Sequence, residues 1–214
     1  MELQESVYKN TKGQTVLHLS GRKLTMVPQG ATEMFYVEVL NLESNELREL
    51  PKSISQMKNL KELRLYFNGL TDLPDSIGEL INLTYLDVSF NYLSAIPSSI
   101  TNLKKLQMLD LSNNMLRKLP EEITVLEELT VLNLNSNDLS ELPGNVERLR
   151  KLKALRLTNN RLEELPKGLE DLKDLEILNV AGNPLTFEAM RNLAKLVNEK
   201  RISGMSNSYF KLAI

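Results

Sequence analysis

Apolar residues along this chain fall into a pattern that fits neither a long helix nor a long strand. In the stretch LQMLDLSNNMLRKLPEEITVLEE, Leu109 and Leu111 alternate with Met108, Asp110 and Ser112. A period of two over so few residues predicts a short strand with one buried face. An asparagine, a Leu-x-x-Leu-Pro segment and apolar residues three apart follow. The whole unit then begins again.

The step is 23 residues and does not slip. Asn45, Asn68, Asn91, Asn114, Asn137, Asn160 and Asn183 keep it, as do eight leucines from Leu24 to Leu185 and seven of the eight prolines, Pro28 to Pro166. Eight copies of LxxLxLxxNxLxxLPxxIxxLxx therefore run over residues 16–185, with residues 1–15 before them and residues 186–214 after them. Copies that repeat one path bring their strands side by side in parallel. Their leucines then form a continuous core that no single copy could bury. The carboxamide of the repeated Asn supplies donors and an acceptor where the chain turns off the strand, which predicts a structural Asn ladder. Proline lacks an N–H and fixes φ, so the return limb is not a second regular strand. Ile54, Ile77, Ile100, Ile123, Val146 and Leu169 lie three residues after their prolines, with another apolar residue three further on. That spacing predicts short helical or 3₁₀ turns on the outer face. Strands about 4.8 Å apart inside and bulkier turns outside make the stack curve. The expected fold is an α/β solenoid with a concave parallel sheet.

Its two ends must be covered. Residues 1–10 are expected to form a short helix over the first strand. Thr186 reads as an N-cap before a C-terminal capping helix, Phe187–Lys200, whose Met190, Leu193 and Leu196 keep helical spacing. Tyr209, Phe210 and Leu212 are expected to fold back on that helix, the alternative being strand addition to a partner by the Leu-Ala-Ile terminus.

LPDSIGELINLTYLDVSFNYL and LPEEITVLEELTVLNLNSNDL resemble the 23-residue repeats of the intracellular Ras-group leucine-rich repeat proteins, a group with Ras-suppressor-type adaptors and a scaffold joining Ras-family GTPases to a protein phosphatase. They are also similar to bacterial leucine-rich repeat proteins, secreted effectors among them. The resemblance spans residues 16–185. It implies a non-enzymatic adaptor that binds a folded protein on the concave sheet, with no cofactor, in GTPase or phosphatase signalling; a secreted effector or adhesin using the same surface is the alternative.

Composition narrows the choices. The chain has 214 residues, 42% apolar and 25% charged, and leucine supplies roughly a fifth of it. A net charge of −2 with no basic stripe argues against a nucleic-acid partner. Zero cysteines exclude disulfides, thiolate metal sites and cysteine nucleophiles. Extracellular relatives are usually closed by cysteine-rich caps, so their absence favours a cytoplasmic protein. No segment has the roughly twenty apolar residues of a membrane span, and the N-terminus lacks the apolar stretch of a cleaved signal peptide. A monomer is expected.

Function resides in the exposed strand positions, which the repeat leaves free to vary. Five of the eleven aromatic residues lie between Tyr66 and Tyr92. Tyr66, Phe67, Tyr85, Phe90 and Tyr92 map to the concave side or its rim. With Arg64, Asp87, Met108 and Asp110 they form the candidate partner-binding patch, a mixture typical of interface hot spots, and affinity is expected to concentrate in copies two to four. Asp87 and Asp110 share one column on neighbouring strands, where like charges repel. A packing role for Phe67 and Phe90 against the neighbouring turn is the competing reading. His18, Ser20 and Glu43 have the composition of a hydrolytic triad but are expected on a flat surface without an oxyanion hole. No phosphate loop or metal-ligand spacing occurs.

Overall fold

A computed structural model of the protein describes residues 3–200. Nine short strands form one sheet in chain order: β1 (Val7–Lys9), β2 (Thr15–His18), β3 (Val39–Asn41), β4 (Glu62–Arg64), β5 (Tyr85–Asp87), β6 (Met108–Asp110), β7 (Val131–Asn133), β8 (Ala154–Arg156) and β9 (Ile177–Asn179). Strands β2 to β9 are parallel, and each pairs with the residues 23 positions further on. The sheet does not close, and the expected α/β solenoid is present.

The central residue of every parallel strand is a buried leucine, from Leu17 to Leu178. Behind the sheet the isoleucines expected on the outer face sit inside 3₁₀ turns such as Lys52–Gln56, Asp75–Glu79 and Ser98–Asn102, each entered from a proline in extended conformation. These turns face the leucines across one core. Adjacent turns pack closely: a Cβ on Gly78 would lie only 2.3 Å from the Ser99 carbonyl oxygen, so a side chain here would force the backbone to shift. The turn after Pro143 is shorter, Val146–Arg148, because Gly144 and Asn145 precede it outside the 3₁₀ conformation.

The ladder has the same geometry in copies two to eight. The Asn91 side-chain amide donates to Val88 O (3.0 Å) in its own copy and to Leu65 O (3.1 Å) in the copy before. Its Oδ1 accepts the Leu70 N–H at 2.9 Å. Asn45, Asn114 and Asn183 repeat these bonds. Each ladder residue thus bonds backward, to the preceding copy. In the first copy Arg22 stands at the ladder position, and there the neighbour of β2 is the antiparallel β1, which offers no stacked turn for an Asn to join.

The N-terminal edge differs from expectation. In place of a helix, a 3₁₀ turn (Leu3–Ser6) leads into β1, which pairs antiparallel with β2. A strand satisfies the unpaired edge groups of β2 directly, which a helix laid over them could not. The intervening turn is closed by Asn10, whose Oδ1 accepts the N–H groups of Lys12 and Gln14 at 3.0 Å, with Gly13 at φ +74°. At the other end α1 (Phe187–Lys200) covers the core with Ala189, Leu193 and Leu196. Thr186 caps it, its hydroxyl oxygen accepting the Ala189 N–H. Tyr209, Phe210 and Leu212 lie outside the described residues.

Candidate functional site

Beyond each parallel strand the chain turns through one residue with positive φ, directly before the ladder position. Gly21, Ser44, Phe67, Phe90, Asn113, Ser136, Asn159 and Gly182 form this column, with φ between +53° and +71°. Glycine and asparagine are the residues that tolerate this region, and a non-glycine residue there costs roughly 1–2 kcal/mol. Two copies in succession place phenylalanine in it.

Both rings point outward. Phe67 is 57% exposed, Phe90 42% and, two residues on, Tyr92 56%. They do not tuck into the turns beneath. They gather with Tyr66 instead: the Tyr66 and Phe90 ring centres are 5.2 Å apart and edge-to-face, Tyr66 and Phe67 5.9 Å, Phe67 and Phe90 6.2 Å. The edge-to-face contact is favourable at about 0.5–1.5 kcal/mol, and the other two pairs are tilted, at 36° and 45°. Phe67, Phe90 and Tyr92 border an open groove of about 290 Å³ floored by Asn68 and Asn91. Gly69 occupies in copy three the place that Tyr92 holds in copy four, which leaves a second hollow beside that ring.

The strand residues of the patch stand on the concave side, half-buried by one another. The Arg64 guanidinium lies 5.4 Å from the centre of the Tyr85 ring and is gripped by Glu62 (2.9 Å) and Glu43 (3.9 Å). Met108 is in register with Tyr85, and Asp110 with Asp87. Burial, reinforced by Asp87, pushes the Tyr85 phenol up to about 12, so it stays a neutral donor and acceptor. Burial also raises the Asp87 carboxyl above its ordinary value, against the Ser89 hydrogen bonds, and the charges of Asp110 and Glu43 add to the rise.

All nine residues of the candidate patch therefore lie on β4–β6 or on the turns leaving β4 and β5. Sequence reasoning missed three features. Glu62 and Glu43 hold Arg64; the signal was available, because Glu62 and Arg64 alternate onto one strand face. Met115, 49% exposed, extends the Tyr92 column by one copy. The positive φ of Phe67 and Phe90 had no signal within their own copies, though glycine at both ends of the column hinted at it.

The group at the N-terminal end of the sheet is only partly assembled. Ser20 Oγ lies 2.9 Å from His18 Nε2, and the Tyr8 ring packs edge-on to the imidazole. Glu43 is turned away, accepting from Asn41 and facing Arg64. Among the described residues no three His, Asp or Glu side chains converge as metal ligands, and no helix is long and apolar enough to cross a membrane.

Comparison with known proteins follows the repeat. The family model described as leucine-rich repeat region matches residues 102–205, and the one described as leucine rich repeat matches residues 15–70 and 58–116. Among solved structures the chain is similar to a leucine-rich repeat protein of Leptospira interrogans, with 36% identity over 77% of this chain and 48% of that one and a TM-score of 0.62. It is also similar to internalin InlF of Listeria monocytogenes (23% identity, 86% and 52% covered, TM-score 0.77) and to the plant peptide hormone receptor RGFR1 in complex with RGF2 (28%, 83% and 33%, TM-score 0.70). The chain spans about half the length of the two bacterial proteins and a third of the receptor. No curated protein matches it significantly.

Proposed function

We propose, for a chain that belongs to the leucine-rich repeat family, that it works without catalysis as a protein-binding module and docks a folded partner on the concave sheet and rim of β4–β6. Proteins of this fold commonly act by protein–protein interaction. The observation that carries the reading is the aromatic cluster: Phe67 and Phe90 hold exposed rings at backbone positions that disfavour them. Backbone strain of this kind collects where a binding surface needs it, and exposed aromatics grouped with arginine are typical of hot spots.

Within this reading the protein is a monomeric cytoplasmic adaptor in GTPase or phosphatase signalling, supported by the likeness of its repeats to the Ras group and by the absence of cysteine. A bacterial effector or adhesin is the second reading, supported by the 36% identity to the Leptospira protein. Tyr66→Ala combined with Tyr85→Ala tests the surface common to both. Binding to a partner captured by wild-type protein and identified by mass spectrometry is expected to weaken by about 2–4 kcal/mol without unfolding. Unchanged affinity would move the docking surface elsewhere.

A further inference from the structure

The sheet face around β5 and β6 carries more negative charge than its folding uses. Where the chain leaves these strands, one side-chain oxygen accepts the N–H of the residue two positions on. Asp87 Oδ1 takes the Ser89 N–H (3.0 Å) and hydroxyl (2.6 Å), and Asp110 Oδ1 takes those of Ser112 (2.9 and 2.6 Å). In the same column Asn41 and Asn133 accept the corresponding N–H with a neutral amide, at 2.9 and 3.2 Å. One oxygen therefore suffices for structure, and the second oxygen with its charge is surplus.

The surplus is not neutralised internally. Asp110 Oδ2 accepts from the Asn133 amide at 2.8 Å, whereas Asp87 Oδ2 has the Tyr85 hydroxyl at 3.5 Å, too long for a normal O–H···O bond. The nearest base, Arg64, is committed to Glu62 and Glu43. Among the described residues neither aspartate makes an ion pair. Two in-register carboxylates thus make no ion pair, even though Arg64 stands in register on the other side of Asp87. They stand beside the Tyr85 ring, and Phe90 follows Asp87 by three residues, at most about 10 Å of chain.

We infer that this surface takes a segment of a protein partner presenting a lysine or arginine to Asp87 and Asp110 and, within about 10 Å, an apolar or aromatic side chain to the Tyr66, Phe67 and Phe90 rings. The inference rests on the reading of this patch as the docking surface and adds what the partner must carry. A cation between the carboxylates relieves their repulsion and gives Asp87 Oδ2 a charge-assisted hydrogen bond. Neighbouring ring faces attract the same cation. An acidic segment is repelled, which gives the surface selectivity as well as affinity.

The repeat itself supplies variants that keep the fold. Asparagine already serves at the aspartate position in copies two and six, and serine and asparagine serve at the phenylalanine position in copies two and five. The test selects linear dodecapeptides from a random phage library on the wild-type chain, then measures their affinity for wild type, D87N/D110N and F67S/F90N by titration calorimetry at two salt concentrations. The expected peptides carry Lys or Arg within three residues of an aromatic or aliphatic residue. D87N/D110N is expected to weaken them at least tenfold and to flatten their salt dependence. F67S/F90N is expected to weaken them by about tenfold with the salt dependence retained. Peptides without a basic residue, sensitive to F67S/F90N and indifferent to D87N/D110N, would overturn the basic anchor and leave the docking surface standing. Peptides indifferent to both variants, or no enrichment at all, would overturn both.

Discussion

Asp87→Asn is expected to make the protein more stable at neutral pH while weakening partner binding. The carboxamide oxygen introduced by the substitution would accept the Ser89 N–H as Asn133 Oδ1 accepts that of Asn135, so no backbone group is orphaned. What disappears is a half-buried charge in register with Asp110 on one side and, on the other, with Arg64, whose charge Glu62 and Glu43 already meet. Two carboxylates about 6 Å apart repel by about 0.7 kcal/mol at the dielectric constant of water and by more at a protein surface, while measured cross-strand pairs lie near 0.2–1 kcal/mol. A gain of about 0.5–1 kcal/mol follows, equivalent to about 1–4 °C in Tm for a chain of this size. The sign with pH is fixed by the raised carboxyl of Asp87. The folded chain keeps that proton to a higher pH than the unfolded chain does. Asp87 therefore does no harm below the ordinary carboxylate value, and its destabilisation grows as pH rises through the folded value. Urea unfolding of wild type and variant between pH 3 and 7 should give curves that coincide at the acid end and separate toward neutrality. A variant less stable at pH 7, or a gain already present at pH 3, would refute the reasoning.

Other perturbations separate structural from functional positions. Asn91→Ala orphans the Leu70 N–H and takes one of two amide donors from each of Leu65 O and Val88 O, which Asn68 and Asn114 still bond, and urea unfolding should register a loss of about 1–3 kcal/mol; a loss below about 0.5 kcal/mol would mean that the ladder does not hold the copies together. Gly78→Ala forces the turns Asp75–Glu79 and Ser98–Asn102 apart, because its Cβ would collide with Ser99 O, and thermal melting should show about 1–3 kcal/mol of destabilisation. Phe90→Asn should leave the unfolding free energy within about 1 kcal/mol of wild type, since relief at φ +53° offsets the lost Tyr66 contact. A much larger loss would make Phe90 a packing residue.

The solenoid was legible because its core is periodic. Leu63, Leu86 and Leu109 recur at 23 residues for the same reason that Ile77 and Ile100 do: each fills an identical slot of one shared interior. Proline in each return limb announced the 3₁₀ turns for a local reason, a missing donor. The edge strand β1 was less legible, because QESVYK carries no strong periodicity, and its conformation is settled by unpaired groups on β2 rather than by its own residues. The patch lies between these cases. Alternation along β4 and β5 places Tyr66 and Tyr85 outward from sequence alone, whereas the orientation of Phe67 and Phe90 follows from a backbone torsion that neither residue prefers. Arg64, which alternation also places in the patch, is in the fold paired with Glu62 and Glu43.

Repeats give an internal standard against which each copy can be judged, and that comparison carries the functional argument. Where copies share a column, the residue seen elsewhere shows what the fold alone would accept: serine, asparagine or glycine at the positive-φ turn, and asparagine at the acceptor leaving the strand. Copies three and four depart at the first position with Phe67 and Phe90, and copies four and five at the second with Asp87 and Asp110. Each departure is locally unfavourable for a different physical reason, torsional strain in one case and unneutralised charge in the other. Folding gives no ground for the two kinds to coincide, yet they meet within three residues of one another at β5. A partner that covers the rings and neutralises the carboxylates would relieve exposure and repulsion together, which accounts for their adjacency as no feature of the core does.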